Sequence, residues 1–338
     1  MCCMKDSHLP HPNPSDSFAI GNVRIRNRVI LAPMSGVTDL PFRKLASRFG
    51  AGLVVTEMIA SRELTFNTAE SWARLRGAGL KPHVVQLAGR DPAYMAEAAR
   101  IAEANGADII DINMGCPAKK VVGGYTGSAL MREPERALEI IEATVKAVSV
   151  PVTVKMRLGW DHDSMNARYL AARAEETGVK AITVHGRTRM QFYKGSADWD
   201  AVASVAEVVS VPFIANGDIE NRGDVDNLLS RPGITAVMAG RACQGRPWHA
   251  GFLAGADELP HAFKIEIALE HYQDILSFYG KDVGVRHARK HLGWYLDRLA
   301  PDSQGVERAQ IMTETNPDRV VTRLADLLTR AGGERKAA

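Results

Sequence analysis

The sequence has little cysteine, little net charge and no long apolar run, and each shortage excludes something. Four cysteines in 338 residues, at positions 2, 3, 116 and 243, make neither a disulfide framework nor a zinc-ligand spacing. They fit a reduced, cytoplasmic protein that holds no metal. No stretch of 18 apolar residues occurs, so no transmembrane helix is expected. Residues 1–17 are rich in Pro, His and Ser and lack the apolar core of a secretory signal. They read as a disordered tail, and nothing around Cys2 and Cys3 supports a membrane anchor. A net charge of +3 gives no global polycation signal, so any nucleic-acid site must be a local basic patch. No Gly-x-Gly-x-x-Gly fingerprint joins a strand to a helix, which argues against a dinucleotide-binding fold. Nothing calls for an obligate protein partner.

What is present is a repeated alternation. Eight short runs rich in β-branched residues occur at 29–32, 53–56, 84–87, 109–113, 152–156, 181–185, 213–216 and 236–239. Each is almost continuously apolar, as strands covered on both faces should be. Amphipathic helical patterns lie between them, for example at 92–105, 135–148 and 165–177. Eight such units in some 240 residues predict a (β/α)₈ TIM barrel over residues 18–255. The strand runs then stop. Residues 256–331 read as a separate small all-helical domain, broken at Pro301-Asp302-Ser303, and 332–338 as a frayed tail.

In such a barrel the active site lies at the C-terminal ends of the strands. The residues there are Pro33, Met34 and Ser35 after the first strand, Gln86 on the third, and Asn113 and Cys116 at and beyond the fourth. Lys155 and Arg157 end the fifth and His185 the sixth, with Arg187 just beyond. Asn216, Gly217 and Asp218 follow the seventh, and Gly240 and Arg241 the eighth. Taken singly, each is an ordinary loop residue. Six strand ends that bring Gln, Asn, Lys, His, Asn and Arg to one mouth describe a ligand site. The small residues after strands 7 and 8, with the Arg241 guanidinium, suit a phosphate. Gln86 offers a donor and an acceptor to a heterocycle edge, and Lys155 a positive charge beside it. These groups fit FMN better than a dinucleotide. Cys116, between Gly115 and Pro117, precedes the Gly-rich segment 121–127, which reads as a lid. A thiol there serves as acid or nucleophile, and its ordinary pKa of roughly 8.5 leaves it mostly protonated at neutral pH. Cys243 has no such context and reads as structural.

The motifs 32–39, 86–89, 113–117, 154–160, 184–188, 216–219 and 240–242 resemble, in order and spacing, those of the tRNA-dihydrouridine synthases. Asn113-x-x-Cys116-Pro117 followed by Lys119 and Lys120 is the most specific, and residues 288–295 resemble the helical domain of the bacterial DusB branch. The resemblance runs from about Phe18 to about Leu328. It implies that NADPH or NADH reduces FMN, that hydride passes to C6 of a uracil in tRNA, and that Cys116 delivers a proton to C5 from the other face. It also implies that Asn113 hydrogen-bonds the uracil. Pro33, Met34, Ser35, Gln86, Lys155, His185, Asn216, Gly217, Asp218, Gly240 and Arg241 would hold the flavin. A base within folded tRNA must be turned out of its stack to reach the mouth, so a surface that grips RNA is needed. Lys119, Lys120, Arg157, Arg187, Arg189 and Lys194 are candidates, as are Arg286, Arg289 and Lys290, which the spacing places on one helix face. The rival reading is an FMN barrel that reduces a small pyrimidine or enone, which leaves the helical domain without a role.

Overall fold

A computed structural model describes residues 16–124, 126–303 and 305–337. An antiparallel hairpin comes first, β1 (Phe18–Ile20) with β2 (Val23–Ile25). The parallel strands follow: β3 (Val29–Leu31), β4 (Leu53–Val54), β5 (Ile59–Ala60), β6 (Val84–Ala88), β7 (Ile109–Met114) and β8 (Val152–Arg157). β9 (Ala181–His185), β10 (Phe213–Asn216) and β11 (Ile234–Ala239) complete the sheet. Their order is β4-β3-β11-β10-β9-β8-β7-β6-β5. The second stave of the barrel is split into β4 and β5, and a parallel bridge between Val55 and Val84 joins it to the third. Nine strands thus make eight staves, at the eight positions the sequence predicts.

Alternation along each strand sorts the side chains. Val85 and Leu87, Ile110 and Ile112, Val154 and Met156, and Ile182 and Val184 face the surrounding helices. Ile30, Leu53, Val84, Ile109, Ala181, Ile214 and Ala236 pack in the lumen at its N-terminal end, with Ile20 and Ile25 of the hairpin. The hairpin therefore plugs the bottom of the barrel, a role that no lone three-residue strand advertises in sequence.

The helical patterns appear as Pro92–Ala104, Pro134–Ala147 and Ala167–Glu176. The first starts at Asp91, whose side chain accepts from the Ala93 and Tyr94 amides, with Pro92 at the tolerated first position. After the barrel come four helices, His261–Tyr279, Lys281–Leu299, Val306–Thr313 and Pro317–Ala337. Gly280, at φ 79°, turns the first pair into a hairpin. The last helix runs through Ala337, so its backbone stays helical beyond the predicted frayed end at 332. The helical unit is less separate than its composition implies. Leu45, Phe49 and Trp248 of the barrel share one apolar cluster with Ile275, Leu292, Leu296 and Leu324. Most of the predicted tail, residues 1–15, lies outside the described residues. No described helix is long and apolar enough to cross a membrane.

Candidate active site at the barrel mouth

The upper lumen reverses the chemistry of the lower. Gln86, Asp111, Asn113, Thr153, Arg157, Thr183, His185 and Asn216 are buried there, and Lys155 stands among them. A chain of hydrogen bonds links one side. Thr153 Oγ1 donates to Asp111 (2.7 Å), Gln86 Nε2 donates to the other Asp111 oxygen (2.7 Å), and Asn113 Nδ2 donates to Gln86 Oε1 (2.7 Å). Asn113 Oδ1 in turn accepts from the amides of Gly115 (3.2 Å) and Cys116 (3.0 Å). Both lone pairs of that oxygen are used, so Asn113 keeps one N–H for anything bound above it. Gln86 likewise points its amide at protein partners, and most of its expected donor–acceptor edge is already engaged. Burial raises the Asp111 carboxyl to about 6.

Cys116 is half-buried. Burial pushes its thiol up, against the nearby charges of Arg157 and Lys155. Cys243, by contrast, is fully buried and pushed up to about 12. The segment after Cys116 contains a short helix, Lys119–Gly123, then a 3₁₀ turn, Gly127–Arg132. Ser128 Oγ donates to the Cys116 carbonyl at 2.9 Å, which ties that turn to the strand end. The Gly-rich segment read as a lid thus runs from a short helix into a 3₁₀ turn. Lys119 is exposed beside it; the side chain of Lys120 lies outside the described residues.

The opposite side is cationic. Lys155 Nζ donates to Asn216 Oδ1 at 2.9 Å, and Asn216 Nδ2 donates to the Met238 carbonyl at 2.6 Å. Burial and Arg157 depress the Lys155 ammonium to about 8. His185 is held well below the usual imidazole range by burial, then by Lys155, Arg157, Arg187 and Arg241. Gly217, at φ 122°, sits so close that a Cβ on it would stand 2.9 Å from the His185 ring. Met34 Sδ lies 3.8 Å from the corresponding point on Gly240, so the first and eighth staves meet above the lumen. Pro33 and Met34 are half-buried there and Ser35 is exposed.

Arg157 and Arg187 differ from the sequence expectation of an RNA-facing role. Each is 2% exposed. Arg157 donates to the carbonyls of Gly115 (2.8 Å), Thr188 (2.9 Å) and Phe192 (2.8 Å). Arg187 forks onto Asp218 (2.8 and 2.6 Å) and onto the carbonyls of Lys194 and Gly195. The two guanidinium groups thus brace the segment 188–195. Arg241 reaches Asp218 at 3.1 Å and lies over the Tyr193 ring. Asp218 turns its carboxylate to Arg187, Arg241 and the Ala197 amide, which together hold it below the usual range against burial. Arg189 covers the rings of Trp160 and Phe192, and Lys194 is exposed.

The three helical-domain cations leave one side of the helix Lys281–Leu299, as their spacing predicts, but their side chains end in different surroundings. Arg286 is exposed, Arg289 lies 3.5 Å from the Thr313 carbonyl, and Lys290 points into the seam with the barrel. Sequence reasoning missed Asp111 and Thr153. Both stand two residues below a predicted site residue, so strand alternation applied downward from Asn113 and Lys155 finds them.

Known proteins resemble the chain over most of its length. A family model described as "Dihydrouridine synthase (Dus)" matches residues 30–330. A "Probable tRNA-dihydrouridine synthase" from Rhizobium leguminosarum bv. phaseoli is 66% identical over 300 residues, 89% of this chain and 95% of that protein. A "tRNA-dihydrouridine synthase B" from Pseudomonas aeruginosa is 48% identical over 290 residues, 83% and 87% of the two chains. Among solved structures, histamine dehydrogenase from Rhizobium sp. 4-9 superposes with a TM-score of 0.53 at 14% identity, covering 76% of this chain and 50% of that one. That last likeness carries the barrel fold alone.

Proposed function

This chain belongs to the dihydrouridine synthase family, and from that premise we propose that it reduces the C5=C6 bond of uridines in tRNA to 5,6-dihydrouridine, with FMN as cofactor and NADPH or NADH as electron donor. The observation that carries the reading is a pairing at one mouth. A half-buried thiol whose pKa burial raises stands beside a cluster of four cations, Lys155, Arg157, Arg187 and Arg241, with Asp218 and the buried Asp111 among them.

The cluster fits FMN. Four positive groups press on one neutral imidazole, and a phosphate beside Arg241 and the Gly217 and Gly240 turns would relieve that excess. Lys155 fits the side of the ring where negative charge collects on reduction. When bound, FMN supplies the hydride that C6 of the uracil receives. The residues of the chain do the rest. Asn113 keeps one N–H for a uracil carbonyl, and its oxygen fixes the turn that carries Cys116. Hydride at C6 leaves an enolate conjugated to the C4 carbonyl, and the Cys116 thiol delivers its proton to C5. A thiol pKa above the ordinary value keeps that proton in place through the neutral range. Lys119 and Lys194, exposed on the rim, would meet the phosphates of RNA in this reading, as would the exposed Arg286 on the helical domain.

Mass mapping of dihydrouridine in tRNA from a deletion strain tests the reading. Wild-type protein should restore the modification and Cys116→Ala should not; full restoration by the Ala variant refutes the acid role. Colourless purified protein refutes the flavin. Equal turnover of free uracil and tRNA by the intact enzyme favours the small-molecule reading instead.

A further inference from the structure

The seam between the barrel and the helical unit holds charge where apolar packing would suffice. Asp39 is 3% exposed. It caps the helix Leu40–Arg48 by accepting from the Phe42 amide at 3.1 Å. Tyr279 Oη, from the helical unit, donates to the same carboxylate at 3.2 Å. Lys290 Nζ donates to His287 Nε2 at 3.1 Å. With that nitrogen accepting, His287 is neutral, and its 3.6 Å approach to Asp39 is a contact and not an ion pair. Burial and Lys290 hold the imidazole down to about 4, which agrees. Lys290 Nζ also lies 3.6 Å from the point where a Cβ on Gly36 would stand. Gly36, at φ 76°, gives its amide to Glu57. Two residues on, Thr38 Oγ1 accepts from the Met34 amide at 2.8 Å. The turn from Pro33 to Asp39 is therefore fixed from below by Glu57 and Thr38. From above it meets three side chains of the helical unit.

We propose that Tyr279, His287 and Lys290 form a docking pin through which the helical unit sets the shape of the Pro33–Asp39 turn, so that Lys290 positions the flavin site and does not grip RNA. The inference rests on the reading that Pro33, Met34 and Ser35 lie against FMN. The ammonium stands opposite the carboxylates of Asp39 and Glu57, with the buried Arg43 as the second cation of the cluster. Four charges balance there, two of each sign. Removing Lys290 leaves two buried carboxylates facing one arginine, and Glu57, as it shifts, carries with it the Gly36 amide it accepts from. The helical unit thereby becomes part of the cofactor site.

The test uses purified full-length protein with FMN and tRNA. Lys290→Met keeps the length and removes the charge. It should weaken FMN binding about tenfold and shift the visible flavin band, with the KM for tRNA within about twofold of wild type. Lys290→Arg should restore most of the loss. Adding Glu57→Gln to Lys290→Met should recover part of the loss, because it removes the unbalanced carboxylate while the Gln oxygen still accepts from the Gly36 amide. Unchanged FMN affinity overturns the proposal, and a raised KM for tRNA in that case marks Lys290 as an RNA contact. Should Lys290→Met fail to fold, Tyr279→Phe is read the same way. Should the wild type itself bind no flavin, the functional reading fails separately. The pin is then judged by hydrogen exchange of the 34–39 amides: lost protection in Lys290→Met supports it, and retained protection overturns it.

Discussion

The two ends of the barrel lumen are built on the same strands, a single alternation apart, and have opposite chemistry. Ile109 is followed inward by Asp111 and then Asn113; Ala181 by Thr183 and His185; Ile214 by Asn216. The lower layer joins Ile20 and Ile25 in one apolar cluster, while the upper layers carry carboxylate, amide, ammonium and imidazole. The lower end gains free energy by excluding water. The upper end gives some of that up, since the half-buried Lys155 and the buried Asp111 are both pulled toward their neutral forms. Stability and chemistry are thus separated by only one or two residue pairs along each stave.

Removing a reacting group at the upper end and packing at the lower end should have separate effects, and removing the bracing Arg187 should affect both stability and binding. Cys116→Ala should lower dihydrouridine formation by about 10²–10⁴-fold in single-turnover assays on reduced enzyme, with FMN content and melting temperature unchanged. A drop in melting temperature of the same protein would show that the thiol itself carries stability. Arg187→Met leaves Asp218 without its forked partner and frees the carbonyls of Lys194 and Gly195. It should cost about 3–5 kcal/mol in denaturant unfolding and release FMN as well. Ile109→Ala, in the lower layer, should cost about 2–5 kcal/mol yet leave FMN affinity within twofold once folded. Loss of FMN binding in that variant would mean the two ends are coupled.

The smallest effect is one of pH. Lys155 carries its charge below about pH 8 in the ligand-free protein, so FMN affinity should fall as pH rises through that value. Titration of FMN binding between about pH 6.5 and 9.5 would show it, and Lys155→Met should flatten that part of the curve. The stability of the ligand-free protein responds in the opposite sense. Between about 8 and the ordinary value of 10.5 the unfolded chain binds more protons at this group, so this residue's contribution to stability rises with pH.

Much of this arrangement was legible beforehand. The eight β-branched runs marked the staves, because a strand covered on both faces must be apolar at nearly every position. The β9 and β10 boundaries, Ala181–His185 and Phe213–Asn216, coincide with the runs themselves. Polar residues closing those runs marked the mouth. Two things were not legible. The Phe18–Ile25 hairpin has too few residues to show a period, and its place under the barrel depends on contacts distant in sequence. The direction of a long cation was equally hidden. Arg157, Arg187 and Lys290 look like any basic residues at a rim, and only the carbonyls and carboxylates that folding brings around them turn them inward.

By itself the sequence determined the barrel, the location of its mouth and the identity of the groups gathered there, because alternation and strand-end position are local properties of the chain. Only the tertiary structure decided which of those groups face a ligand and which face the protein. That choice depends on acceptors contributed by other staves and by the helical unit. Asp218 and the carbonyls of Lys194 and Gly195 claim Arg187, and a buried guanidinium stays where its hydrogen bonds are satisfied.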